Sequence, residues 1–239
     1  MEQIIHLKSE SNHVSIKLIE DDHSVIEKTI MLKDFSEIFK QEERKVYIMP
    51  HELFWNYENT EVVQGMLYGE KEGSICKGIF FVPASTRYMD VSGEKAIMPY
   101  PSIVFSLVTV RGRLTHSKCY AVQEKSLNEL KTGSRLYAFP FGNVLYSDGH
   151  ICWGQNKMTD MYDYEALRSA ITIFFSAESN KDYVHPGKSY SGKYGRYESF
   201  LGKLKKRKTF PMDALVYSPC ENNLGELIET IQKGEFKNE

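Results

Sequence analysis

The segment RLYAFPFGNVLYSDGHICWG, residues 135–154, decides how this chain is read. It is poor in helix signal and rich in turn chemistry. Pro140, Gly142, the Ser147-Asp148-Gly149 turn and Gly154 space out apolar residues that can fix a loop to a core. One cysteine, Cys152, stands near its end. A thiol held on a turn that opens toward a following helix is a candidate nucleophile, because thiolate chemistry needs partial exposure and nearby N–H dipoles or cations. The competing reading is a small buried hydrophobe, the commoner fate of a free cysteine.

Upstream, the strand signal is strong. Gly78-Ile79-Phe80-Phe81-Val82 and the run 103–110 are continuous apolar stretches, as strands buried on both faces require. Pro99 and Pro101 set an extended approach to the second run. Arg111-Gly112-Arg113 then turns the chain back into 114–122, which predicts a hairpin. Residues 14–19 and 25–32 alternate around a charged turn and read as a hairpin. A short helical pattern follows from Asp34, and 46–49, 53–57 and 62–68 are further strand candidates. The charged, glycine-bracketed stretch 69–73 reads either as a domain boundary or as a hairpin turn. The expected division is an N-terminal α+β region over 1–73, a core over 74–217, and a C-terminal helix and tail over 218–239.

Downstream, Thr159-Asp160 offers a cap, and Met161, Tyr164, Leu167, Ile171 and Phe174 recur at helical spacing, although 171–175 would also suit a strand. Such a helix would aim its first N–H groups back toward the loop. Residues 181–208 carry nine Lys/Arg against two acids, a local +7 that leaves −9 on the rest of a chain whose total is −2. Tyr183, Tyr190, Tyr194, Tyr197 and Phe200 are interleaved with those charges. Single-stranded nucleic acid is held by such groups, yet a solvated helix face with Leu201 and Leu204 inward is the simpler account, and an acidic protein partner is a third. Residues 223–233 form a short amphipathic helix.

At 239 residues, 41% hydrophobic and 26% charged, the chain is long enough to bury a sizeable core and has neither a disordered nor a membrane composition. No apolar run nears the ~18 residues of a spanning helix, and no signal peptide is visible, so a cytoplasmic protein is expected. Cys76, Cys119, Cys152 and Cys220 lie far apart, without C-x-x-C spacing, and the seven histidines form no ligand motif. No metal and no cofactor are expected.

The central loop resembles the active-site segment of ubiquitin-conjugating enzymes, and more closely that of the prokaryotic conjugating-enzyme family D, also called PRTRC system protein B. Pro140, Phe141, Asn143, Val144, Gly149, Ile151, Cys152 and Gly154 fit its pattern, with Phe141-Gly142 where the eukaryotic enzymes carry His-Pro and nine residues from Asn143 to Cys152. Met98-Pro99-Tyr100-Pro101-Ser102, Arg111-Gly112, Phe174-Phe175 and His185-Pro186 are similar to the family as well. The resemblance implies an α+β fold of UBC type: an antiparallel β-meander, an active-site loop and flanking helices, here with an N-terminal α+β extension. It implies that Cys152 accepts a ubiquitin-like protein as a thioester and passes it to an amine. Asn143 would then donate to the developing oxyanion or hold the loop that does so, a direct donor contributing roughly 10²–10³ in rate. The equally weighted alternative is an asparagine that closes its own turn. The implied partners are a ubiquitin-like protein, a ThiF-type activating enzyme and a JAB-type metallopeptidase, encoded beside a ParB-like protein in a mobile-element cassette.

Two other functional classes stay open. One is a UBC-like module that binds a ubiquitin-like or nucleoprotein partner without chemistry. The other is a cysteine hydrolase that uses His150 or His185 as base. His150 shares a strand face with Cys152 at a two-residue spacing, but reads first as a solvent-facing residue. Asp148 is explained by its turn, and Asp160 and Asp163 by helix capping.

Overall fold

The computed structural model describes residues 2–7, 13–19, 25–31, 46–47, 65–91 and 93–234. The chain divides into two compact units between residues 45 and 46. In the first, β1 (Glu2–Leu7), β2 (His13–Ile19) and β3 (Val25–Met31) form an antiparallel sheet in that order. The predicted hairpin is β2–β3, paired from His13↔Met31 to Ile19↔Val25. The helical pattern from Asp34 and the strand candidate at 53–57 lie outside the described residues.

In the second unit, β4 (Val46–Tyr47), β5 (Gly65–Glu72), β6 (Ile75–Val82), β9 (Ser102–Val110), β10 (Arg113–Val122) and β11 (Tyr137–Ala138) make one sheet, ordered β11-β10-β9-β6-β5-β4. The strands that hold the two apolar runs, β6 and β9, are central and buried on both faces, as their predominantly apolar composition demands. Phe80, Phe105 and Leu107 face a core completed by α1 (Tyr164–Ser176) and α2 (Tyr197–Leu204). Ile79, Phe81, Val104 and Val108 face α3 (Leu224–Lys233) through Leu224, Leu227 and Ile231. The β9–β10 turn places Arg111 at φ 53° and Gly112 at φ 73°, the left-handed pair that a two-residue hairpin needs.

Three details refine these expectations. Residues 85–100 form an inserted ribbon that was not anticipated, β7 (Ser85–Val91) paired with β8 (Glu94–Tyr100), and the extended entry to β9 at Pro99 and Pro101 is the end of that ribbon. Of the two readings of 69–73, the hairpin turn is the one seen, because β5 and β6 pair down to Glu72↔Ile75, and α3 packs on the same sheet. The helix after the loop is capped by Asp163, whose Oδ1 accepts from Ala166 N at 2.8 Å. Asp160 sits instead at φ 63°, and Met161 N bonds Gly112 O at 3.0 Å, which holds this stretch on the β9–β10 turn before the helix begins.

Candidate active site

Residues 143–152 fold back on themselves as a miniature hairpin at the edge of β10. Leu145 N donates to His150 O, Gly149 N to Leu145 O and Cys152 N to Asn143 O, each at 2.8 Å. Cys119 N to Gly149 O at 2.9 Å and Ile151 N to Ser117 O at 3.0 Å attach it to β10. Asp148 Oδ1 accepts from His150 N at 3.0 Å, so this aspartate does serve its turn. Gly149 has φ 73°, and an added Cβ would meet the Tyr120 ring at 2.6 Å, so the position demands glycine twice over. Ile151 is fully buried, and Trp153 donates through Nε1 to Ser117 Oγ at 3.0 Å while its ring meets Phe174 edge-on at 6.2 Å. The thiol is thus presented between two anchored neighbours.

Asn143 is buried and left-handed at φ 66°, a conformation that asparagine tolerates better than most residues. Its Nδ2 donates to Glu178 O at 2.8 Å, and its Oδ1 accepts from Asn180 N at 3.0 Å. Both ends of the amide clasp the strap that leaves the C-terminal end of α1. Gly142 lies under the same strap: a Cβ there would stand 1.6 Å from Asn180 O. Phe141 closes the floor, buried against Tyr100 at 4.5 Å and Phe200 at 6.1 Å between ring centroids.

The four cysteines differ in a way that bears on chemistry. Cys76 and Cys119 are buried; burial pushes the first thiol up to about 11, against Lys71, and the second well above its ordinary value. Cys220 is exposed as a residue, yet its thiol is raised as well, by desolvation of the sulfur and by the hydrogen bond it donates to Glu221 Oε2 at 2.6 Å. Cys152 is half-buried, with its sulfur beside the Tyr183 hydroxyl. That hydroxyl's pKa is raised, first by the charge of the sulfur and then by their hydrogen bond.

Several expected neighbours of the thiol lie elsewhere. His150 pairs with Lys118 on β10, near His116, and the His185 ring packs on Tyr146 at 5.0 Å. Among the described residues neither histidine bonds Cys152. The N-terminus of α1 sits over β5 and β6, with the Tyr164 ring 3.2 Å from where a Gly69 Cβ would be, while its C-terminal end reaches the loop. In the basic segment Tyr190, Tyr194, Tyr197 and Phe200 are buried, Tyr190 stacking on Phe200 at 4.2 Å, so these rings are core and not a stacking platform for bases. Tyr183, only half-buried, is the exception. No three His, Cys, Asp or Glu side chains among the described residues come together as a metal-binding group, and no helix there is long and apolar enough to cross a membrane.

An antiparallel meander that leads into a braced loop with a half-buried cysteine defines a UBC-like protein of the α+β class. Residues 39–218 match the family model of the prokaryotic E2 family D, and the chain belongs to that family. No curated protein and no solved structure matches it. What sequence reading missed is Tyr183 and the 178–180 strap. The available signal was that Tyr183 precedes the helical spacing shared by the later aromatics.

Proposed function

We propose that this protein accepts a ubiquitin-like protein as a thioester on Cys152 and transfers it to an amine. The observation that carries this reading is the contrast among the cysteines: Cys76 and Cys119 are sealed in the core, and Cys220, though exposed, lies off the loop and bonds Glu221. Cys152 is the thiol on the family's loop and is half-buried, presented between the anchored Ile151 and Trp153. Thioester exchange is nearly isoenergetic, so access and positioning matter more than a strong general base. That fits a thiol with no histidine bonded to it. A ThiF-type activating enzyme would supply the charged cargo, and a JAB-type metallopeptidase would act on it before or afterwards.

Asn143 supports the chemistry as a brace in this reading, since both ends of its amide are engaged with backbone. That engagement is also the observation that favours a second reading, a UBC-like binding module without transfer. Intact-protein mass spectrometry separates the two after mixing with the activating enzyme, ubiquitin-like protein and ATP. Transfer predicts a thiol-labile adduct on the wild type, none on Cys152→Ala and a thiol-stable ester on Cys152→Ser. A charged activating enzyme with no adduct on this protein would leave the binding module.

A further inference from the structure

At the base of the β7–β8 ribbon, where Ser85 pairs with Tyr100, lies an open pocket of about 600 Å³. Its floor is apolar, with Pro99, Tyr100 and Phe210 buried in it. Its rim is polar and basic, and Thr86, Lys125, Lys208 and Thr209 are exposed there. No Asp or Glu is among the residues that line it. Lys208 also ends the exposed basic run of Lys205, Lys206, Arg207 and Lys208. Among the described residues neither the Lys125 nor the Lys208 ammonium has an acidic partner. In the pocket wall, Ser85 Oγ is buried without a hydrogen-bond partner, an unmet polar group of a kind that folded interiors rarely leave.

The volume suits a ligand or a seated side chain, and the two parts of the pocket ask for different chemistry. The floor gains from covering an apolar group, and the rim gains from anionic groups on either side of it. Nucleic acid fits this poorly. Tyr100 and Phe210 are only 6% and 5% exposed, and both rings lie against Phe141, at 4.5 and 6.0 Å between centroids, so bases find no platform to stack on. We infer that this pocket is a docking site for an acidic peptide segment of a partner protein, which seats one apolar side chain on the floor and lays carboxylates against Lys125 and Lys208. Cys152 does not line the pocket, so the docked segment leaves the thiol free. The same Phe141 forms the floor of the thiol loop, which sets the docked partner directly behind that loop. The inference does not rest on the thioester reading, since a module that only binds would use the same pocket.

The test is fluorescence anisotropy on the full chain with a fluorescein-labelled peptide that carries one Phe between runs of Glu. In low-salt buffer this probe binds saturably. Lys125→Ser and Lys208→Ser each weaken binding about threefold, and together about tenfold, the range of exposed ion pairs at separate positions. Lys157→Ser removes an equal charge from an exposed residue outside the pocket and leaves binding unchanged. All three side chains are exposed, so the fold is kept in each variant. Replacing the probe's Phe with Ser weakens binding by about tenfold, and replacing its Glu residues with Gln abolishes it. Absence of saturable binding, an equal loss in Lys157→Ser, or undiminished affinity for the Ser-containing probe overturns the proposal. Labelled oligothymidylate and phosphatidylserine vesicles serve as competing probes. Tighter binding of either, weakened by the same two lysine substitutions, would assign the surface to phosphate groups and overturn the peptide reading.

Discussion

Asn143 combines two demands that seldom coincide, a left-handed backbone and a side chain engaged at both ends. Asn143→Ala loses two hydrogen bonds, each contributing about 0.5–1.5 kcal/mol, and adds a strained φ that costs roughly 1–2 kcal/mol more. Asn143→Gly loses the same bonds without the strain. Urea unfolding should therefore rank wild type above Asn143→Gly and Asn143→Gly above Asn143→Ala, the two variants differing by about 1 kcal/mol. Equal stability of the two variants would mean that the backbone conformation carries no cost. The sequence pointed to Asn143 through its neighbours Pro140 and Phe141 and its distance to Cys152. Its partners Glu178 and Asn180 were out of reach, because a contact over 35 residues has no local pattern. Tyr183 was hidden for a related reason: five aromatics in one basic segment look alike until four of them are seen to be core.

The loop and the strap form one element in practice, and Gly142 is where they touch. Sequence reading assigned this glycine to turn formation. Its φ is not in the left-handed region, and the requirement is space, since Asn180 O occupies the position a Cβ would take. Gly142→Ala must push the strap away and break the Asn143 clasp, at about 3 kcal/mol. Differential scanning calorimetry on this variant should show a Tm lower by several degrees, and an unchanged Tm would refute the close approach. The meander strands were legible because apolar residues dominate them, unbroken from Ile79 to Val82 in β6 and interrupted only by Ser106 and Thr109 from Ile103 to Val110 in β9, and the β9–β10 turn because Gly112 marks it. The β7–β8 ribbon was legible in principle, through alternation on either side of Ser92-Gly93. The two prolines drew the reading toward an extended connection instead.

At the scale of the whole molecule, a polar group inside the sheet sets the response to acid. His116 on β10 is shielded by burial, and Lys118 and His150 add like charge, against the opposing pull of Glu221; together they lower its pKa to about 4. Its ring nitrogen lies 3.2 Å from Ser106 Oγ. Between about 4 and the ordinary 6.5 the unfolded chain binds a proton at this site and the folded chain does not, so stability rises with pH across that window and is lost on acidification. Burial pushes Glu221 up, but hydrogen bonds from Cys220, Lys118 and Tyr120 outweigh it and hold the carboxyl below its ordinary value. Its contribution is likewise lost as pH falls through the carboxylate range. Urea titrations at pH 7, 5.5 and 4 should show a loss of about 2–3 kcal/mol attributable to His116, and His116→Gln should flatten that slope. A wild-type profile level from pH 7 to 4 would refute this assignment.

The Cys152 N–H, bonded to Asn143 O at 2.8 Å, has one more consequence. In chymotrypsin-type hydrolases the nucleophile's own N–H is one of the donors to the oxyanion that forms during acyl transfer and hydrolysis. Here that group is already spent inside the loop. On the proposed transfer reading, an acyl cargo on this sulfur would meet water without a cradle from the N–H of the residue that carries it, and the loaded state would favour persistence over leakage. What looks like a detail of turn geometry would then bear on how long the proposed thioester lasts before an amine arrives.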